Sequence, residues 1–287
     1  MRTAAIRSDP QARQRRRKGF SVRHLPAMIS LFVRLWPLLL ISSFACAQAP
    51  SDTIRVLSYN IHHGEGVDQV LDLERIAKLI LEAKADIVGL QEVDRGVERS
   101  GKRDLPAELA KLTGMRVHFE KNIPHQGGEY GNAVLTRFPI KSAKNTHLKQ
   151  LAPGEQRGVQ QLVLDVRGRE IVFINTHIDY RANPPERTLD AEALKQMVAD
   201  AGKRPVILVG DFNAMPTSPF ITSVKSFIAD AWEIAGKGDG FTIPVKKPTR
   251  RIDYVFVSKE TVTPVRLEVI PSIASDHLPL LAELRLK

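Results

Sequence analysis

The chain holds 287 residues, 43% of them hydrophobic, enough to bury a large core as one sizeable α/β domain or two smaller ones. Its formal charge of +10 invites a nucleic-acid reading, but nine of the 42 basic residues and one of the 32 acids fall between Met1 and Ala47. The remaining 33 basic and 31 acidic residues make a nearly neutral body, which excludes an overall basic field of the kind non-specific DNA binding relies on.

The N-terminal segment, residues 1–47, reads as a processing signal. "RQRRRKGFSVRH" is a positive flank, and "LWPLLLISSFACA" is an apolar run of about a dozen residues, too short to span a bilayer comfortably. "ACA" before Gln48 fits a small-residue cleavage site, so export to the periplasm or outside the cell is expected after cleavage near Ala47. The basic stretch ahead of the apolar run is long, which makes Met28 an alternative start. A lipid on Cys46 and an uncleaved membrane anchor are the competing outcomes; "SFAC" lacks the usual leucine three positions before the cysteine. Cys46 is the only cysteine, so the cleaved chain is expected to hold no disulfide and no stable membrane span.

From residue 52 to 287 the pattern is that of a single domain without repeats or long linkers. "TIRVLSYNI" reads as a strand. In "LDLERIAKLILEAK" the residues Leu73, Ile76, Ala77, Ile80 and Leu81 form a helical stripe. "ADIVGLQE" is a second strand, and "RDLPAELAKLTG" a helix closed by Gly114. Strands are expected at "GNAVLTRFPI", "GVQQLVLDV" and "EIVFINTH", the last two joined by a short "RG" turn into an antiparallel hairpin. "PERTLDAEALKQMVADAG" is a helix with Pro and Glu early and Gly202 at its end. "VILVG", "RIDYVFVS" and "PLLAELRL" complete the strands. Several are apolar on both faces, so both sides must be covered. Two mixed sheets packed together, with helices on the outer faces, account for the strand number. The fold class is α/β.

The ends of these apolar strands are polar. Asn60 and His62 close the first, Glu92 the second, Asn175 and His177 the hairpin, Asp211 and Asn213 "ILVGDFNA". Asp253 stands at the entry of "RIDYVFV", and Asp276 and His277 just before the last strand. Period-two alternation puts Asn175 with His177, and Asp211 with Asn213, on common faces. Singly, each has an ordinary explanation as a turn former or solvated strand end. Together they supply carboxylate, amide and imidazole at one strand end after another, and a shared rim would make them one pocket. His62 and His63 are minor candidates. Arg157, Arg187, Tyr130, Asn132 and the run Lys246, Lys247, Arg250 and Arg251 are candidates for anion or substrate contact, with surface roles the simpler alternative.

The motifs "SYNIHHG", "LQEVD", "GNAVLTRFPI", "NTHID", "GDFNA", "RIDYVFV" and "SDHLPL", in that order, resemble those of the endonuclease/exonuclease/phosphatase family. That family includes DNase I-like nucleases, abasic-site endonucleases, neutral sphingomyelinases and inositol-phosphate phosphatases. The resemblance runs from about Ile54 to Leu286 and implies a four-layer α/β/β/α sandwich. It also implies Mg²⁺, with Mn²⁺ as a possible substitute, held by the hard carboxylate of Glu92 with Asn60 beside it and Asp276 completing or orienting the site. By the same resemblance His277 activates water with Asp253 fixing its tautomer, and His177 and Asn213 bind phosphoryl oxygens. Asp211 either orients the nucleophile or is itself the base.

The expected activity is therefore hydrolysis of a phosphate ester, a phosphodiester first, by an exported monomer. A nuclease stays open within the enzyme class, although the neutral body and the few aromatics (6%) weaken a base-stacking DNA binder. A non-catalytic binding module on the same sandwich is the alternative from another class.

Overall fold

A computed structural model describes residues 52–181 and 185–287; the segment 1–47, on which the expected cleavage signal and Cys46 fall, lies outside the described residues. The strands are β1 (Thr53–Asn60), β2 (Ile87–Arg95), β3 (Arg116–His125), β4 (Gly128–Thr136), β5 (Ile140–His147), β6 (Gly158–Val166), β7 (Arg169–His177), β8 (Val206–Asp211), β9 (Ala229–Asp230), β10 (Asp253–Val257), β11 (Val262–Val269) and β12 (Leu280–Leu286). The helices are α1 (Leu73–Glu82), α2 (Leu105–Thr113), α3 (Arg187–Asp200), α4 (Pro219–Lys225) and α5 (Ala231–Ala235).

The strands form two six-stranded sheets, ordered β11-β12-β1-β2-β4-β3 and β5-β6-β7-β8-β10-β9. Each sheet has one parallel pair at its centre, β1 with β2 and β7 with β8, and antiparallel neighbours elsewhere. The sheets face each other across a core that includes Val56, Ile87, Val134, Leu162, Phe173, Ile207, Val209, Val255 and Leu284. On the outer face of the first sheet α1 and α2 bury Leu73, Ile76, Ile80, Leu105 and Leu109 against Leu57, Val88 and Leu90. On the outer face of the second, α3 and α4 bury Leu194, Phe220 and Ile221 against Val172, Ile174 and Leu208. The result is the expected four-layer α/β/β/α sandwich. Among the described residues no helix is long and apolar enough to cross a membrane.

Local chemistry sets the boundaries. The carboxylates of Asp72 and Asp104 accept from Arg75 N–H and Ala107 N–H, capping α1 and α2, and Gly114 ends α2 in the left-handed conformation. Arg167 and Gly168 both take positive φ (56° and 87°), the two-residue turn that joins β6 to β7. Three expectations need correcting. Leu81 is not part of the buried stripe of α1; it is 42% exposed on the helix flank. "GNAVLTRFPI" is not one strand, because β4 stops at Thr136 and Ile140 begins β5 in the opposite sheet. The strands β3, β5 and β11, together with α4 and α5, carry no mark in the sequence reading. β3, β5 and β11 are edge strands whose residues are mostly exposed or half-buried, so their alternation is too weak to stand out.

Candidate active site

The central strands deliver the polar residues to one end of the sandwich. His177 ends β7, Asp211 ends β8 and Asp253 begins β10, and the three are direct partners in register: His177 opposite Asp211, Asp211 opposite Asp253. From the first sheet, β1 contributes Asn60 and β2 contributes Glu92. Pairing of β2 with β4 slips between Leu90 and Val93, and Glu92 sits in that irregularity with φ 57°, out of the ladder. The loop before β12 adds Asp276 and His277. A cleft of about 400 Å³ is lined by Glu92, Asp211, Asn213, His177, Asp276 and His277 among others.

Asp211 is the hub. Its Oδ2 accepts from Asn60 Nδ2 at 3.1 Å and lies 3.6 Å from Nε2 of both His177 and His277. Asn60 Nδ2 also donates to Glu92 Oε1 at 2.8 Å, so one amide ties the carboxylates of the two sheets, while its Oδ1 accepts from His62 N–H at 3.0 Å. Asp211 Oδ1 accepts from Asn213 N–H at 2.9 Å, which holds Asn213 in a left-handed turn (φ 46°). His277 Nδ1 donates to Asp253 Oδ2 at 2.8 Å, and Thr242 Oγ1 donates to the same oxygen at 2.5 Å.

Burial dominates the electrostatics. It raises the Asp211 carboxyl to about 7, partly opposed by the charge of His277. Burial alone would depress the His277 imidazole, but the carboxylates of Asp253 and Asp211 outweigh it and push that group up to about 10. His177 goes the other way: burial, then the positive charges of Arg157 and His277, hold it well below the ordinary histidine range. Arg157 Nη1 donates to His177 Nδ1 at 3.0 Å, which leaves the ring's proton on Nε2, facing the cleft.

The sequence makes Arg157 a candidate for anion contact, with a surface role the simpler alternative. Instead it is 6% exposed, paired with Glu155 at 2.6 Å, and lines the cleft, with its Nε buried and unbonded. Arg99, bidentate to Asp94, also lines the cleft and lies over the Tyr130 ring; neither Arg99 nor Glu155 carried a motif that could have marked it. Tyr130 lines the cleft as expected, whereas Asn132 is buried and donates to Gly158 O. Asn175 shares a face with His177 but stays between the sheets, bonded to Gln91, Leu90 O and Ala133 O. Arg187 donates to Phe212 O and Asn213 O, clamping the turn that carries Asn213. The basic run divides: Arg251 is buried against Asp230 at 2.8 Å, while Lys246, Lys247 and Arg250 stay outside the core.

Known proteins carry the same arrangement of strands. The profile of the Endonuclease/Exonuclease/phosphatase family matches residues 57–277. Over 256 residues the chain is 27% identical to the uncharacterized protein YbhP of Escherichia coli K12, spanning 83% of this chain and 99% of that protein. It is 23% identical over 188 residues to the 5′-tyrosyl-DNA phosphodiesterase of Caenorhabditis elegans, spanning 64% of this chain and 48% of that one. A solved endonuclease/exonuclease/phosphatase family protein from Bacteroides thetaiotaomicron superposes with a TM-score of 0.70 at 21% identity, covering 82% of this chain and 98% of that chain. The family match runs through every residue of the cleft from Asn60 to His277, and the chain belongs to the endonuclease/exonuclease/phosphatase family of metal-dependent phosphoesterases.

Proposed function

We propose that this protein is an exported, Mg²⁺-dependent phosphodiesterase in which Asp211 and His277 divide the proton transfers. The observation that carries the reading is the pair itself: a buried carboxyl raised toward neutrality, 3.6 Å from an imidazole held in its charged form. A base works best with a pKa near the working pH, and an acid must hold its proton there. Asp211 therefore takes the proton of the attacking water, and the Nε2–H of His277 passes to the leaving oxygen as the phosphorus–oxygen bond breaks. Afterwards Asp211 is protonated and His277 neutral. Transfer of one proton between them restores the starting state.

His177 and Asn213 supply the phosphate contacts. Nε2–H of His177 and Nδ2 of Asn213 are 3.0 Å apart, and Nδ2 also donates to Ile178 O. Both side chains line the cleft, where an N–H from each suits a phosphoryl oxygen on which charge accumulates.

The donor set fits a hard divalent cation. Glu92 and Asp276 offer carboxylate oxygens to the cleft, and among the described residues neither has an ion pair. Glu92 and Asp276 would hold Mg²⁺, with Asn60 steadying Glu92; the bound ion supplies Lewis-acid charge neutralisation at the phosphate. The activity of the C. elegans relative as a phosphodiesterase supports the diester choice.

The deciding experiment is hydrolysis of bis-p-nitrophenyl phosphate with added Mg²⁺ and with EDTA. Activity that EDTA removes and that Asp211→Asn abolishes supports the reading; activity surviving in Asp211→Asn overturns it. Export is tested by fractionation and N-terminal sequencing, with a chain starting at Gln48 as the expected product.

A further inference from the structure

Just past β1 the chain enters a tight turn in which His62 (φ 44°), His63 (φ 45°) and Gly64 (φ 88°) all adopt the left-handed conformation. Two successive side-chain-bearing residues rarely do so, because Cβ then crowds the carbonyl oxygen, at about 1–2 kcal/mol per residue. The consequence is that the two imidazoles stand on the same side, with ring centroids 4.4 Å apart. Glu92, also left-handed, comes up against them from β2. One ligand atom from each of His62, His63 and Glu92 lies within 4.8 Å of the other two.

The free atoms of this cluster are the ones a cation needs. His62 Nδ1 lies 3.3 Å from Glu65 O and donates to it, which leaves the Nε2 lone pair available. Such a carbonyl on the far ring nitrogen is the usual support of a metal-ligating imidazole. His63 is 8% exposed; its Nε2 lies 3.7 Å from Glu65 Oε2, while its Nδ1 is buried without a hydrogen-bond partner, a state that costs about 1–3 kcal/mol unless something binds there. Glu92 is held through Oε1 by Asn60. Arg99, the cation on this side of the cleft, is taken up by Asp94 at 2.8 and 2.9 Å.

We propose that His62, His63 and Glu92 form a site for a first-row transition ion, with Zn²⁺ the best match to two imidazoles and a carboxylate. A tetrahedral ion with bonds of about 2.1 Å needs donors about 3.4 Å apart, within reach of small side-chain rotations from the present spacing. Imidazole nitrogen separates this site from the oxygen-only position of Glu92 and Asp276, since Mg²⁺ favours oxygen and Zn²⁺ accepts nitrogen. The two positions share Glu92, so a transition ion here competes with Mg²⁺ for that carboxylate. The site does not depend on the proposed phosphodiesterase reading.

The test is titration of the full-length, tag-free, EDTA-treated protein with Co²⁺ and Zn²⁺, followed by visible absorption and calorimetry. A four-coordinate Co²⁺ spectrum displaced by Zn²⁺ is expected. His62→Asn and His63→Asn should each weaken both ions by at least about tenfold, since removal of even a supporting residue costs that much. In the unaltered protein, Zn²⁺ should shift the ring nitrogen resonances of His62 and His63 and leave those of His118 and His147 in place, which keeps the test valid if a variant misfolds. Undiminished affinity in both folded variants overturns the proposal. So does a Zn²⁺ response confined to His277, which would put the ion at Asp211, Asp253 and His277. Hydrolysis with Mg²⁺ alone is measured separately, so failure of one reading leaves the other standing.

Discussion

Oδ2 of Asp211 and Nε2 of His277 lie 3.6 Å apart, and the far side of the same imidazole is bonded to Asp253 at 2.8 Å. An imidazole between two carboxylates keeps its proton, and the two acids are not equivalent: Asp253 contributes more to the shift than Asp211. In the unaltered protein the His277 ring should therefore be charged at pH 8. Asp253→Asn should lower its pKa further than Asp211→Asn does. NMR titration of the ring resonances checks the order, and equal shifts would contradict it.

The division of labour between these residues predicts a dependence on leaving group. A diester that expels p-nitrophenolate needs little protonation, whereas one that expels an alkoxide needs it fully. His277→Gln should therefore cost the alkyl diester on the order of 10²–10⁴-fold in kcat and the p-nitrophenyl diester much less. Asp211→Asn should depress both by similar factors, because every substrate needs the water deprotonated. Parallel kinetics on the two substrates separates acid from base.

Arg157 acts on the reaction through His177. Its guanidinium at Nδ1 keeps the proton on Nε2, where it faces the phosphate position. In Arg157→Ala the ring is free to move its proton to Nδ1, and Nε2 then turns a lone pair toward phosphoryl oxygen. A loss of about 10–10²-fold in kcat/KM is expected, in line with other supporting residues of such sites. Nitrogen NMR of His177 should show the tautomer change, which a purely structural role for Arg157 would not produce.

Much of this site was legible in the sequence because its residues follow long apolar strands. Asp211 and His177 end β8 and β7, whose interiors are wholly buried, and such runs stand out against any background. Arg157 was legible only as a candidate anion contact, not as a buried partner of His177. It sits one residue before β6, in a loop whose polar composition reads as surface, and only the second sheet's position beneath it makes that loop part of the cleft. The role proposed for His63 was illegible for a related reason, since a His-His pair after a strand gives no hint of consecutive left-handed residues. Asn175 shows the opposite error: period two gave its face correctly, but depth along the strand, two residues short of His177, put it between the sheets.

The contact between the sheets is tight enough to test. A methyl group on Gly89 would lie 2.4 Å from Val209 Cγ2 and 3.0 Å from Asn175 Oδ1 across the interface. Both neighbours are buried and central in the opposite sheet, so neither has room to retreat. Gly89→Ala should destabilise the fold by about 1–3 kcal/mol, the usual cost of overfilling a close-packed core. Urea unfolding measures it.

Asp190 gives the stability a pH dependence that has nothing to do with catalysis. It lies in α3 with Oδ1 buried and unbonded, and burial, reinforced by the charge of Glu186, raises its carboxyl to about 7. In the unfolded chain the group ionises near pH 4. Below that pH both states carry the proton and no cost arises. Between about 4 and 7 the unfolded state alone releases it, so stability falls with each step upward; above 7 the cost is complete and constant. Asn keeps the shape and cannot ionise. Asp190→Asn should therefore match the unaltered protein at pH 4 and exceed it by at least about 1 kcal/mol at pH 8, measured by urea unfolding across that range. A gap that is the same at both pH values would mean that Asp190 is already ionised in the folded state.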